Sequence, residues 1–140
     1  MIERSVIVGA DGRAKAYRPL PEEARIAAIV AGLEAYAAGD FFEAHELLEP
    51  AWMGSPDPAE RSLLQGLIKV AAADVHAVRD NPKGVRRNLE GARDRLRAGA
   101  GGTITGVTVD VDALLDAIDS RLAALERGDD LPLRIGWRRR

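Results

Sequence analysis

Cysteine is absent from the chain. Disulfides, thiolate catalysis and zinc–sulfur sites are thereby excluded, and the composition fits a cytoplasmic protein. Aromatic side chains are scarce as well, at 4% of 140 residues, so alanine and leucine must fill most of the interior. Small and unbranched side chains of that kind suit closely packed helices. No uncharged apolar run approaches the length of a membrane span, and the first residues lack the basic segment and long apolar stretch of a signal peptide. Nor is there an excess of one charge: 20 basic against 22 acidic residues leave a net charge of −2, which argues against non-specific nucleic-acid binding. What remains is a chain of single-domain length, 1–140, long enough to bury a core without a metal or a disulfide.

Hydrophobic periodicity predicts an all-α fold, a compact bundle or array of about five helices. Residues 1–21 read as a short extended or hairpin arm, 22–127 as the helical body and 128–140 as a C-terminal tail. The first helix opens at Pro21-Glu22-Glu23 and carries Ile26, Ile29, Val30, Leu33 and Ala37 at helical spacing. Gly39 then supplies a left-handed stop. Asp40, with Glu43 three residues on, predicts a capping box for a second helix over 41–52, in which Pro50 should cause a kink or an early end. A third helix over 59–78 shows Leu64, Leu67, Ile68, Ala71 and Val75, and a fourth, following Pro82, shows Val85, Leu89, Ala92 and Leu96. The arginines of the fourth helix, interspersed with Glu90 and Asp94, read as a solvated face. Residues 103–108 read as a loop. A fifth helix, capped by Thr108 or Asp110, displays Val111, Leu114, Leu115, Ile118, Leu122 and Leu125 before Gly128 stops it. Leu131, Leu133, Ile135 and Trp137 suggest that part of the tail packs.

Unusual side chains concentrate in 39–52, which holds both phenylalanines, one of two tryptophans and one of two histidines. On a helical wheel, Phe41, Ala44, Leu48 and Trp52 form one apolar arc. His45 falls beside Trp52, and Glu49 lies one turn beyond His45, so the two share an edge with Glu46 nearby. The next helix offers a polar line of Gln65, Lys69 and His76. If the two helices pack antiparallel, His45, Glu46 and Glu49 face that line. Two imidazoles with a carboxylate, His45, Glu49 and His76, would suit zinc, manganese or iron. Glu46 or Glu49 would then act as general base toward a metal-bound water. The run His45-Glu46-Leu47-Leu48-Glu49 departs from the His-Glu-x-x-His zinc motif, because glutamate stands in the second histidine's place.

The segment Phe41-Phe42-Glu43-Ala44-His45-Glu46-Leu47-Leu48-Glu49, then Trp52, Leu64-Gln65-Gly66-Leu67-Ile68 and Asn81-Pro82-Lys83-Gly84, resembles the small helical family of unknown function numbered 309. The resemblance spans roughly 24–96 and implies a compact all-α fold. It points to Glu43, His45, Glu46, Glu49, Trp52 and Gln65 as characteristic positions, with His76 where the family often places histidine. A label attached to the family, predicted metal-dependent hydrolase, implies a divalent-metal site. Pro50 is a departure from the family pattern.

Two functional expectations stand side by side. In the first, Glu46 and Glu49 are catalytic, and Glu43, His45, Trp52, Gln65 and His76 bind a small-molecule ligand or a divalent metal. In the second, the chain is a non-enzymatic structural or protein-interaction domain, and the His/Glu/Gln cluster is a packing network. A protein partner or a homodimer belongs to this second expectation. A ligand site should leave His45 and Glu49 convergent and partly accessible, whereas an interaction surface should expose contiguous apolar area away from them.

Overall fold

The computed structural model describes residues 5–8, 14–17 and 20–140; for 5–8 and 14–17 the backbone alone is described. Strands β1 (Ser5–Val8) and β2 (Ala14–Tyr17) pair antiparallel, with Ser5 opposite Tyr17 and Val8 opposite Ala14. The rest of the expected arm, apart from Leu20 and Pro21, lies outside the described residues.

Five helices follow: α1 (Glu22–Ala37), α2 (Phe41–Gly54), α3 (Pro58–Val78), α4 (Pro82–Ala98) and α5 (Val111–Glu126). The connections 38–40, 55–57 and 79–81 are too short to let successive helices diverge, so α1 packs on α2, α2 on α3 and α3 on α4. The fifth helix packs against α4. The result is a compact all-α bundle, as the periodicity predicts. Its core is mainly aliphatic: Leu64, Leu67, Ile68 and Ala71 of α3 meet Val85, Leu89, Ala92 and Leu96 of α4, all buried. Close approach depends on small residues. A Cβ at Gly66 would lie 2.7 Å from Cγ of Leu96, and one at Gly32 would lie 2.7 Å from Cγ of Leu48.

Several local expectations need correction. Helix α2 runs to Gly54, past Pro50. The proline removes the bond to the Glu46 carbonyl, a penalty of about 3 kcal/mol or more in a helix interior. Burial of Ala51, Trp52 and Met53 in the next turn opposes that loss, and Arg25 Nη1 closes the helix end on the Gly54 carbonyl at 2.8 Å. The capping box at Asp40 does not form, since its side chain makes no capping bond. In α1 the buried aromatic is Tyr36, while Ala37 faces solvent. Residues 103–108 are more than a loop: Val107–Val109 form β3, which pairs antiparallel with β4 (Trp137–Arg139). That pairing draws the tail back onto the body and buries Ile135, whereas Leu131 stays exposed.

Candidate functional site

The inward face of α2 is Ala44, Leu48 and Trp52, all buried. His45 therefore sits at the rim, with 21% of its side chain exposed, and Glu49 lies buried beneath it. Nδ1 of His45 is 3.4 Å from Oε1 of Glu46 and 3.9 Å from Oε2 of Glu49. The His45–Glu49 edge read from the wheel is thus formed. Both carboxylates approach the same ring nitrogen, and Glu46 is 59% exposed. Glu43 faces solvent and lines a different groove, described below.

The polar line of α3 does not complete a metal set. Lys69 lays its stem across Gly91 of α4, where a Cβ would be 3.1 Å from Cδ. His76 is 3.1 Å from Asn81 through Nδ1 and rests against Gly84, where any side chain would overlap the ring. With the Asn81 amide donating, Nδ1 of His76 accepts. At these two positions the line is turned to α4. Among the described residues, no three His, Asp or Glu side chains come together to hold a metal ion, so the expected set of His45, Glu49 and His76 is not assembled.

Trp52 and Gln65, by contrast, do meet. They line a groove of about 330 Å³ at the α2–α3 turn, together with Pro58, Arg61, Ser62 and Arg95. The Arg61 guanidinium lies over the Trp52 ring, 5.5 Å from its centroid. Arg61 could have been found from the sequence, for it stands one turn before Gln65 on the same line of α3.

The opposite end of the α2–α3 pair is apolar. Phe42 is 63% and Val78 76% exposed, and both line a groove of about 480 Å³ with Phe41, Val75, Asp40, Glu43 and Arg79. Phe41 is anchored from below by Tyr36, with ring centroids 5.2 Å apart at 59°.

Two buried polar networks escaped the wheel analysis. In one, Tyr36 donates to Asp74, and Arg121, 2% exposed, reaches Asp74 at 2.8 Å and Asp130 at 2.7 Å. Burial, reinforced by the Asp74 carboxylate, pushes the Tyr36 phenol up. Burial alone would lower the Arg121 guanidinium, but its bonds to Asp130 and Asp74 outweigh that and raise it. In the other, buried Glu60 accepts from Ser55 Oγ at 2.5 Å and from Thr105 N and Oγ1, each at 2.7 Å. This fastens the loop before β3 to the start of α3. Both networks tie elements together and face the interior, so neither is read as a reaction centre.

The class defined by this geometry is a small all-α domain with a His/Glu edge on α2 and two grooves at opposite ends of the α2–α3 pair. Over residues 29–88 the chain matches the family described as Domain of unknown function (DUF309), in agreement with the resemblance read from its motifs. That stretch runs from α1 into α4 and contains Glu43, His45, Glu46, Glu49, Trp52, Gln65 and His76. The chain is also 36% identical over 66 residues to "Uncharacterized protein YpuF" of Bacillus subtilis (strain 168). The match covers 47% of this chain and 38% of that relative, so the chain spans well under two thirds of the relative's length. No solved structure matches the chain significantly.

Proposed function

We propose that the helical body is a non-enzymatic interaction domain that pairs with a second copy of itself through the open end of α2–α3. The observation that carries this reading is the adjacency of Phe42 and Val78, the most exposed large apolar side chains among the described residues. Such area is costly to leave in water and marks an association surface. Neither His45 nor Glu49 lines this groove, although Phe42 stands one helical turn before His45. The choice of a second copy rests on charge. The same groove is lined by Asp40 and Glu43 at the start of α2 and by Arg79 just past the end of α3. A surface holding both signs around an apolar centre is complementary to itself across a two-fold axis.

Sedimentation equilibrium tests the reading. The chain should be dimeric at tens of micromolar, and Phe42→Glu should make it monomeric with an unchanged circular dichroism spectrum. A monomer at every concentration up to the millimolar range would overturn it.

The metal-dependent hydrolase reading, with Glu46 and Glu49 catalytic, has one contact in its favour: His45 Nδ1 lies beside both carboxylates. It asks for His76 as a further ligand, which rests against Asn81 and Gly84 instead, and for a group able to hold a metal ion, which the described residues do not form. On the interaction reading, protein purified without added metal holds less than 0.1 equivalent of zinc, manganese or iron by mass spectrometry. A stoichiometric metal lost in His45→Ala would reverse the order of the two readings.

A further inference from the structure

We propose that the groove at the α2–α3 turn is a binding site for a small phosphate-class dianion. Every charged residue lining it is an arginine: Arg61 from the first turn of α3 and Arg95 from the last turn of α4. Neither guanidinium has an ion-pair partner among the described residues. Other arginines close by are spent on the fold: Arg93 pairs with Asp119 at 3.4 Å, and Arg25 caps the Gly54 carbonyl. Two like charges facing one groove without a counter-ion repel each other, and an anion between them removes that cost.

The rest of the groove fits the same ligand. Trp52 holds the Arg61 guanidinium over its ring and so limits the freedom lost on binding. Ser62 and Gln65 add uncharged donors, and the start of α3 contributes the positive end of its dipole. Of the acids adjacent in sequence to the groove's lining, Asp57 accepts from the Glu60 amide at 3.0 Å, Glu60 is held by Ser55 and Thr105, and Asp94 does not line the groove. Two planar forks, a hydroxyl and an amide offer more donors than the two oxygens of a carboxylate can use; a tetrahedral phosphate can use them all. A volume of about 330 Å³ suits an ion or a small monoester. The site lies at the other end of the helix pair from Phe42 and Val78, so it stands independently of self-association.

Trp52 provides the readout in a Trp137→Phe background, and calorimetry on the unaltered chain repeats the measurement. Inorganic phosphate, glycerol phosphate, succinate and potassium chloride are titrated at matched ionic strength. The expected result is saturable binding of phosphate or glycerol phosphate with a Kd in the millimolar range or below. A tighter Kd for glycerol phosphate would assign a monoester, a tighter one for phosphate the free ion, and both outcomes support the site. Arg95→Gln, an exposed position, should weaken binding at least tenfold while leaving the circular dichroism spectrum unchanged, and Gln65→Ala should weaken it less. A response no different from chloride, succinate binding as tightly as phosphate, or an unchanged Kd in Arg95→Gln would each overturn the proposal.

Discussion

Asp74, Arg121 and Glu60 are charged residues at positions where helical spacing calls for apolar ones. Asp74 continues the stripe of Leu67 and Ala71, Arg121 that of Leu114 and Ile118, and Glu60 precedes Leu64 and Leu67 by one and two turns. All three are buried, and that misplacement in the pattern was the available signal for the two networks. Removing one partner of a buried ion pair strands the other, at a cost of about 3–5 kcal/mol. Asp74→Ala should therefore lose stability of that order in urea unfolding, because it leaves Arg121 with Asp130 alone and deprives Tyr36 of its acceptor. The double variant Asp74→Leu, Arg121→Met should recover much of the loss, and a cost below about 1 kcal/mol for Asp74→Ala would contradict the argument. Glu60 makes a pH prediction. Burial raises its carboxyl, but the hydrogen bonds from Ser55 and Thr105, with Arg25 nearby, more than compensate, and its pKa falls below the ordinary 4.5. A group depressed on folding contributes stability that is fully present above the unfolded value and is lost as pH drops through the folded one. The stability advantage of the native chain over Glu60→Gln should accordingly hold from neutrality down to about pH 5 and shrink below it, as thermal melts at successive pH values would record.

Helix ends explain much of the agreement at the level of elements. After α1, the Asp40 amide bonds to the Ala35 carbonyl at 2.9 Å and that of Gly39 to Tyr36 at 3.0 Å, with Gly39 at φ 85°. The same reciprocal pair ends α5 around Gly128 and α3 around Asp80. Glycine at 39 and 128 made two of these stops legible in advance. The third uses an aspartate at φ 55°, the one non-glycine residue among the described residues with positive φ. Asp80→Gly should relieve that conformation at the expense of a more flexible unfolded chain, for a net gain of roughly 0.5 kcal/mol. Urea unfolding checks it, and a loss of stability would show that the Asp80 side chain contributes more than its backbone costs. Strands β3 and β4 were not legible, for a different reason. Each has three residues, too few for alternation to register, and their partnership joins Val107 to Arg139 across α5. Of the two effects expected of Pro50, a kink or an early end, the early end does not occur: α2 continues to Gly54 with Ala51, Trp52 and Met53 buried in the next turn. At the site, one-helix geometry was legible and two-helix geometry was not. The wheel of α2 placed His45 beside Glu49, but which neighbour Lys69 and His76 would face depended on α4 packing close through Gly84 and Gly91.

Taken whole, the molecule sorts its chemistry along the α2–α3 pair: an apolar end at Phe42 and Val78, a cationic end at Arg61 and Arg95, and the His45 edge between them on α2. Association through the apolar end has a thermodynamic consequence beyond the molecular weight. A dimer that forms only from folded chains stabilises them by mass action, so the melting temperature should rise with protein concentration. For Phe42→Glu the melting temperature should be independent of concentration. Charge supplies a sharper control, because hydrophobic collapse of any kind could respond to Phe42 whereas a two-fold contact alone couples Glu43 of one copy to Arg79 of the other. Glu43→Arg and Arg79→Glu, each alone, set like charges against each other across the axis and should raise the dimer dissociation constant several-fold. Combined in one chain, they restore opposite charges at the contact and should return it to near the native value. Additive weakening in the double variant would place Glu43 and Arg79 outside any shared contact and would leave self-pairing at this end without its electrostatic basis.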